Sequence, residues 1–177
     1  CRYKLAHPMR GQFIDAPVQG LSYRGPTQQG ITGYDENGNE LDQGGFSFFP
    51  GELIDFSIGS VPLGRAPAAK KVSPLDLWSS VDTSDLRVIG VARILQTLDE
   101  DSGAPQQDGK IVLLPAVVSC FERVVDEVVD EQGLTQIDFG DGTDIDSLLT
   151  NTVAECSPFT DTEYGLAVVD AEEAQGN

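Results

Sequence analysis

Apolar residues along the first third of the chain come in short alternations broken by glycines and turn residues, the period-two pattern of half-buried strands. Phe13 and Ile14 precede one turn, Val18 and Leu21 continue, Ile31 restarts, and Phe46, Phe48 and Phe49 form an aromatic alternation. Leu53, Ile54, Phe56 and Ile58 make the last strand of the series. Asp35-Glu36-Asn37-Gly38 and Pro50-Gly51-Glu52 read as tight turns, because Asn and Gly tolerate positive φ and Pro presets the first turn position. The pattern predicts a small β-sandwich or meander that closes near Gly64.

Arg65 to Ser73, with Pro67, three alanines and two lysines, reads as a linker or a strand-edge connection. Beyond it the period lengthens. Ser73-Pro74-Leu75-Asp76-Leu77-Trp78 looks like a capped helical turn with Pro at the first helical position. Asp85 to Leu98 carries Leu86, Ile89, Ala92, Leu95 and Leu98 as one stripe, with Ser84 or Asp85 as its cap. A second helix is predicted from about Leu114 to Val129, burying Val117, Val118, Phe121, Val124, Val125 and Val128 and turning Glu122, Arg123, Asp126 and Glu127 outward. A third is predicted from Ile145 to Glu155, and the tail from Ala171 is polar. The expected fold class is α+β: a small N-terminal β-sandwich followed by a helical module of about three helices. The expected organisation is an N-terminal anchor segment over 1–10, the β-sandwich over 11–64, the linker over 65–73 and the helical module over 74–177.

The run Gly11-Gln12-Phe13-Ile14-Asp15-Ala16-Pro17-Val18-Gln19-Gly20-Leu21-Ser22-Tyr23, then Gly45-Phe46-Ser47-Phe48 and Pro50 to Gly59, resembles a module found in secreted bacterial proteins and lipoproteins. Pro74-Leu75-Asp76-Leu77, Ala92 to Asp99, Ile137-Asp138-Phe139 and Ala171 to Gln175 continue that resemblance in order along nearly the whole chain. The first part resembles the transthyretin-like, or carboxypeptidase-regulatory-like, β-sandwich. The resemblance implies an envelope scaffold used for adhesion and spacing, and no enzyme. The Asp35 to Gly44 turn is longer than that family's usual Asp-Gly turn, and the cysteine pair is no part of the family pattern.

Charge narrows the partners. The chain has 29 acidic and 11 basic residues, a formal net charge of -18 and a pI near 4.1. Nucleic acid is excluded as a partner, because phosphate binding needs clustered Lys and Arg and the densest basic pairing is Lys70-Lys71. An anionic membrane surface is disfavoured for the same reason. An acidic surface serves solubility first, and otherwise cations or a basic protein partner.

The three cysteines, Cys1, Cys120 and Cys156, divide into a pair and a terminal thiol. An oxidising compartment favours a Cys120 to Cys156 disulfide. Cys1 resembles the lipidated first residue of a mature bacterial lipoprotein, which would carry diacylglycerol; a disulfide to another chain or an accidental start are the alternatives. No stretch approaches the roughly 20 apolar residues of a membrane span.

Candidate chemistry lies in the acidic loops. Leu98-Asp99-Glu100-Asp101-Ser102-Gly103 follows a helix and alternates carboxylates before a glycine turn. With Asp108 closing the shell, Asp99 and Asp101 are candidate calcium ligands, against the alternative of a solvated loop. Asp138, Asp141, Asp144 and Asp146 form a second cluster, for which helix capping is the preferred reading over a metal. Asp35, Asn37 and Asn39 suit a turn before an ion. Tyr23, Tyr34 and Trp78 are candidate carbohydrate-stacking residues, Trp78 being more in keeping with a core position.

Catalysis finds no support in this inventory. His7 is the single histidine, no Ser or Cys sits in a nucleophile motif, and no carboxylate pair stands out from the rest. Two functions follow as expectations. One is a lipid-anchored, non-catalytic subunit on the periplasmic or extracellular face of a bacterial membrane, packed against a larger membrane or surface assembly. There Arg2, Lys4, His7 and Arg10 would meet headgroups and the acidic body a basic partner. The other is a calcium-stabilised adhesion or surface-binding module of a longer secreted protein.

Overall fold

The structure, a computed structural model, describes residues 8–13, 17–35, 37–42, 44–78, 86–100, 102–103, 110–133, 142–160 and 165–169. It is α+β, with strands leading and helices following. The N-terminal strands are β1 (Met9–Phe13), β2 (Val18–Gln19), β3 (Ser22–Arg24), β4 (Gln29–Ile31), β5 (Gly45–Phe48), β6 (Leu53–Ile58), β7 (Val61–Pro67) and β8 (Lys71–Val72). Then come a 3-10 turn (Pro74–Trp78), α1 (Leu86–Leu98), β9 (Ile111–Val112), α2 (Pro115–Gln132), α3 (Gly142–Cys156) and a 3-10 turn at Ser157–Phe159.

Two sheets face one another. One is antiparallel in the order β4-β3-β6-β7; the other has the order β5-β1-β8, with β1 antiparallel to β5 and parallel to β8. Because side chains alternate between faces, Ile54, Phe56 and Ile58 point inward from β6 while Leu53 and Asp55 stay exposed. The inward rings meet between the sheets: Phe13 against Phe56 at 4.8 Å, Phe46 against Phe56 at 5.3 Å and Tyr23 against Phe46 at 5.8 Å. Each tilted or edge-on pair adds roughly 0.5–1.5 kcal/mol beyond its buried area. Tyr23 is therefore a core residue, not the exposed carbohydrate platform expected of it.

The stretch 65–73 is largely strand. Arg65, Ala66 and Pro67 complete β7, pairing with Asp55, Ile54 and Leu53, and Lys71-Val72 form β8 beside β1. Pro67 is tolerated because it ends an edge strand, where a missing N–H leaves no ladder partner unsatisfied. The expected helical stretch also contributes a strand: Ile111 and Val112 pair in parallel with Val18 and Gln19.

The helices lie where the 3.6-residue period places them, but α1 differs in environment. It was expected to be amphipathic; instead it is buried almost all round, with Val91, Ile94, Leu95 and Leu98 fully enclosed, whereas Leu86 at its start is 65% exposed. A helix apolar on most faces belongs between layers, and α1 packs against α3, β9 and the first 3-10 turn. α2 keeps the expected two faces, with Val117, Phe121, Val124 and Val128 inward. Pro115 opens it, where a missing N–H is harmless, and Gly133 closes it in the left-handed region at φ 67°. One continuous apolar cluster runs from Phe13 and Phe56 through Leu77 and Ile94 to Phe121 and Leu148, joining sheets and helices.

Candidate functional site: a groove on the outer sheet face

The exposed face of the four-stranded sheet carries a row of charge across three strands. Register places Arg24 of β3 opposite Asp55 of β6, and Asp55 opposite Arg65 of β7. The Arg65 guanidinium closes a two-point pair on Asp55, Nε to Oδ1 at 2.8 Å and Nη2 to Oδ2 at 3.1 Å. That pair raises the Arg65 pKa further above its ordinary value, chiefly through the hydrogen bonds. Arg24 is exposed and its side chain makes no hydrogen bond or ion pair among the described residues.

Two depressions flank this row. The larger, about 590 Å³, has Leu53, Asp55, Arg24 and Arg65 as its floor and Pro26 and Pro50-Gly51 as its walls. Glu52 fixes those walls to each other. Its Oε1 accepts the Phe49 N–H at 2.6 Å and its Oε2 the Thr27 hydroxyl at 2.7 Å, tying the β3–β4 turn to the β5–β6 turn. These bonds, the Phe49 N–H first, hold the Glu52 carboxyl below its ordinary 4.5. The second depression, about 450 Å³, runs along the same row towards Ser60 and Pro62. From the sequence none of these residues reads as a site, since only strand pairing brings positions 24, 55 and 65 together.

The residues expected from sequence fall elsewhere. Cys120 of α2 and Cys156 at the end of α3 form a disulfide with a Cα–Cα distance of 5.7 Å, buried in the core. Asp99 is 4% exposed and its Oδ1 accepts the Val112 N–H at 3.1 Å, so it braces the end of β9. Asp101 and Asp108, with Cys1, Arg2, Lys4, His7, Asp138 and Asp141, lie outside the described residues, as does the Trp78 side chain. Among the described residues no group of three His, Cys, Asp or Glu side chains converges as a metal site, and no helix is long and apolar enough to cross a membrane.

The second acidic cluster divides by role. Asp144 sits in the first turn of α3, where a carboxylate favours the free N–H groups. Asp146 instead accepts from Arg93 Nη2 at 2.6 Å, while Arg93 Nε donates to the Val169 carbonyl at 2.9 Å. Arg93 is 7% exposed within α1 and so ties α3 and the 165–169 segment to the central helix. Asp35 is a turn residue: its Oδ1 accepts the N–H groups of Asn37 and Asn39, both at 2.9 Å. Arg10, expected to meet lipid headgroups, is engaged with Asp42 and Ser47.

The class this geometry defines is a disulfide-bonded α+β fold with a charged groove on the outer face of its four-stranded sheet. No family profile matches the chain, and no solved structure matches it. The chain is similar to the accessory colonization factor AcfD of Vibrio cholerae serotype O1, 28% identical over 144 residues. The similarity covers 76% of this chain and 9% of that protein, so the chain corresponds to a short stretch of a far longer relative.

Proposed function

We propose that this chain is a non-catalytic accessory module of an exported surface protein or assembly, acting by binding and spacing. The observation that carries the reading is the similarity of three-quarters of the chain to a small part of a protein named as an accessory colonization factor. The disulfide supports export, because cystines persist in oxidising compartments. The acidic composition supports solubility on an exposed surface. In the proposal Cys1 carries the acyl lipid and the acidic body faces a protein partner.

Intact mass of the natively expressed protein, from membrane and soluble fractions, tests this. The reading expects the protein in an extracytoplasmic fraction, two hydrogens lighter before reduction than after, with a lipid-sized mass excess that maps to Cys1. A fully reduced protein in the cytoplasmic fraction would overturn export. An unmodified Cys1 in the soluble extracellular fraction would remove the tether and leave the accessory role standing.

A further inference from the structure

We propose that the larger groove on the outer face of β3, β6 and β7 binds an extended, acidic segment of a protein partner, one carboxylate side chain on Arg24 and an aliphatic side chain on Leu53. This deepens the accessory reading and rests on it for its biological setting.

Most charged groups in the groove are already satisfied by the fold. Both Asp55 oxygens are held by Arg65, and both Glu52 oxygens by the Phe49 N–H and the Thr27 hydroxyl. Of the charged side chains lining the groove, Arg24 is the one with no partner among the described residues. A guanidinium presents a planar fork that matches a carboxylate at two points. In a chain of net charge -18, this groove is formally balanced, Arg24 and Arg65 against Asp55 and a Glu52 that keeps its charge, and Arg24 is the cation in it not committed to a carboxylate of its own chain. An acidic segment is repelled by most of the surface and accepted here, which gives orientation as well as attraction.

The remaining lining selects the rest of the ligand. Leu53 is 49% exposed between Pro26 and Pro50, an apolar seat beside the charge. Arg24 pairs in register with Asp55, two residues along β6 from Leu53. Two residues of extended chain rise about 6.6 Å, so a segment lying along β6 presents an acid at one position and an aliphatic residue two further on. No aromatic side chain lines this groove among its described residues, which argues against a sugar ring as occupant, since sugars favour aromatic faces. Glu52 locks the two walls together before any ligand arrives, lowering the ordering cost of binding.

The experiment is an array of immobilised extended octapeptides in a Thr-Ser background, scanned with every pair of residues at positions i and i+2, probed with the full oxidised chain. Acid-x-aliphatic pairs should bind best. Arg24→Ala should weaken them by roughly fivefold, the scale of one partly exposed charge pair. Arg24→Glu should invert the preference towards Lys and Arg, and Leu53→Thr should erase the aliphatic preference while leaving the acidic one. Both positions are solvent-facing, and unchanged circular dichroism and Tm show that each variant folds. A ranking without an acid-x-aliphatic preference, or one that Arg24→Glu leaves unchanged, overturns the proposal. Tighter binding of polygalacturonate than of any peptide, lost in Arg24→Ala, overturns it in favour of an acidic glycan. These results are separate from the export test, which reads compartment and mass and can succeed when the array fails.

Discussion

Removing the bridge between α2 and α3 in Cys120→Ala/Cys156→Ala lengthens the free loop of the denatured chain without touching the groove. The cystine closes a sequence separation of 36 residues. Loop-closure entropy for that length corresponds to roughly 4 kcal/mol of stability at 25 °C. Both cysteines are buried, at 2% and 0% exposure, and loss of their sulfur packing adds to the cost. With an unfolding entropy of about 2 cal/mol/K per residue over 177 residues, 4 kcal/mol is a fall in Tm of roughly 10 °C. Urea unfolding followed by far-UV circular dichroism, oxidised wild type against the double variant, measures it. The m-value should rise as well, because the uncrosslinked denatured chain exposes more surface. A stability loss under about 1 kcal/mol with an unchanged m would refute the reasoning: the denatured state would then gain nothing from the longer loop.

Three other outcomes follow from named contacts. Arg93→Ala should cost about 2 kcal/mol and strip hydrogen-exchange protection from the amides of 166–169, because the Val169 carbonyl loses a charged donor; Asp146→Asn, at a largely exposed carboxylate, should cost under about 1 kcal/mol. The Glu155 carboxyl titrates above its ordinary 4.5, first from desolvation and then from the charge of Glu127. Its folded form holds the proton more tightly than the unfolded chain, so the contribution is present below the unfolded pKa and lost as pH rises through the folded one. Glu155→Gln should therefore raise Tm at pH 7, with the gain vanishing below about pH 4; a gain that persists at low pH would be a packing effect. Asp99→Asn should destabilise by about 1–2 kcal/mol equally in calcium and in EDTA, since its carboxylate braces the Val112 N–H; a cost confined to calcium buffers would restore the cation reading of that loop.

Elements with a strong local period were readable from sequence, and those made by distant pairing were not. The α2 stripe from Val117 to Val128 fixed a face and nearly both ends, because Pro115 and Gly133 are local signals. β6 was legible for the same reason, its Leu53 to Ile58 alternation surviving intact. The strand at Arg65 to Pro67 was obscured by its composition, since Pro67 followed by two alanines and two lysines reads as a connection until β6 supplies the partner. β9 is two residues long and exists only because β2 lies beside it. α1 looked amphipathic because its spacing fits one stripe, whereas its other face, with Val88, Val91 and Ile94, is also apolar and also covered.

The functional surface was hidden for a physical reason that bears on its reading. Acidic runs such as Asp99 to Asp101 draw attention in a sequence because neighbours in the chain are charged together, yet Asp99 bonds a strand, Asp35 a turn and Asp146 the buried Arg93, while Asp144 sits in the first turn of α3. A surface able to act on something else needs a group the fold leaves unsatisfied. Arg24 is such a group, a single arginine after Tyr23 with nothing in its local sequence to mark it. Its meaning comes from Asp55 already belonging to Arg65 and Glu52 to the turns. The consequence is sharp: because Arg65 holds Asp55, Arg65→Ala frees Asp55 to close on Arg24 and should weaken acidic-peptide binding about as far as Arg24→Ala does, whereas an Arg24 already paired with Asp55 would make Arg65→Ala nearly silent. If Arg65 holds Asp55 away from Arg24, then replacing Asp55 and Arg65 together, as Asp55→Ser/Arg65→Ser, should leave that binding within about twofold of wild type, the scale of additive, uncoupled sites.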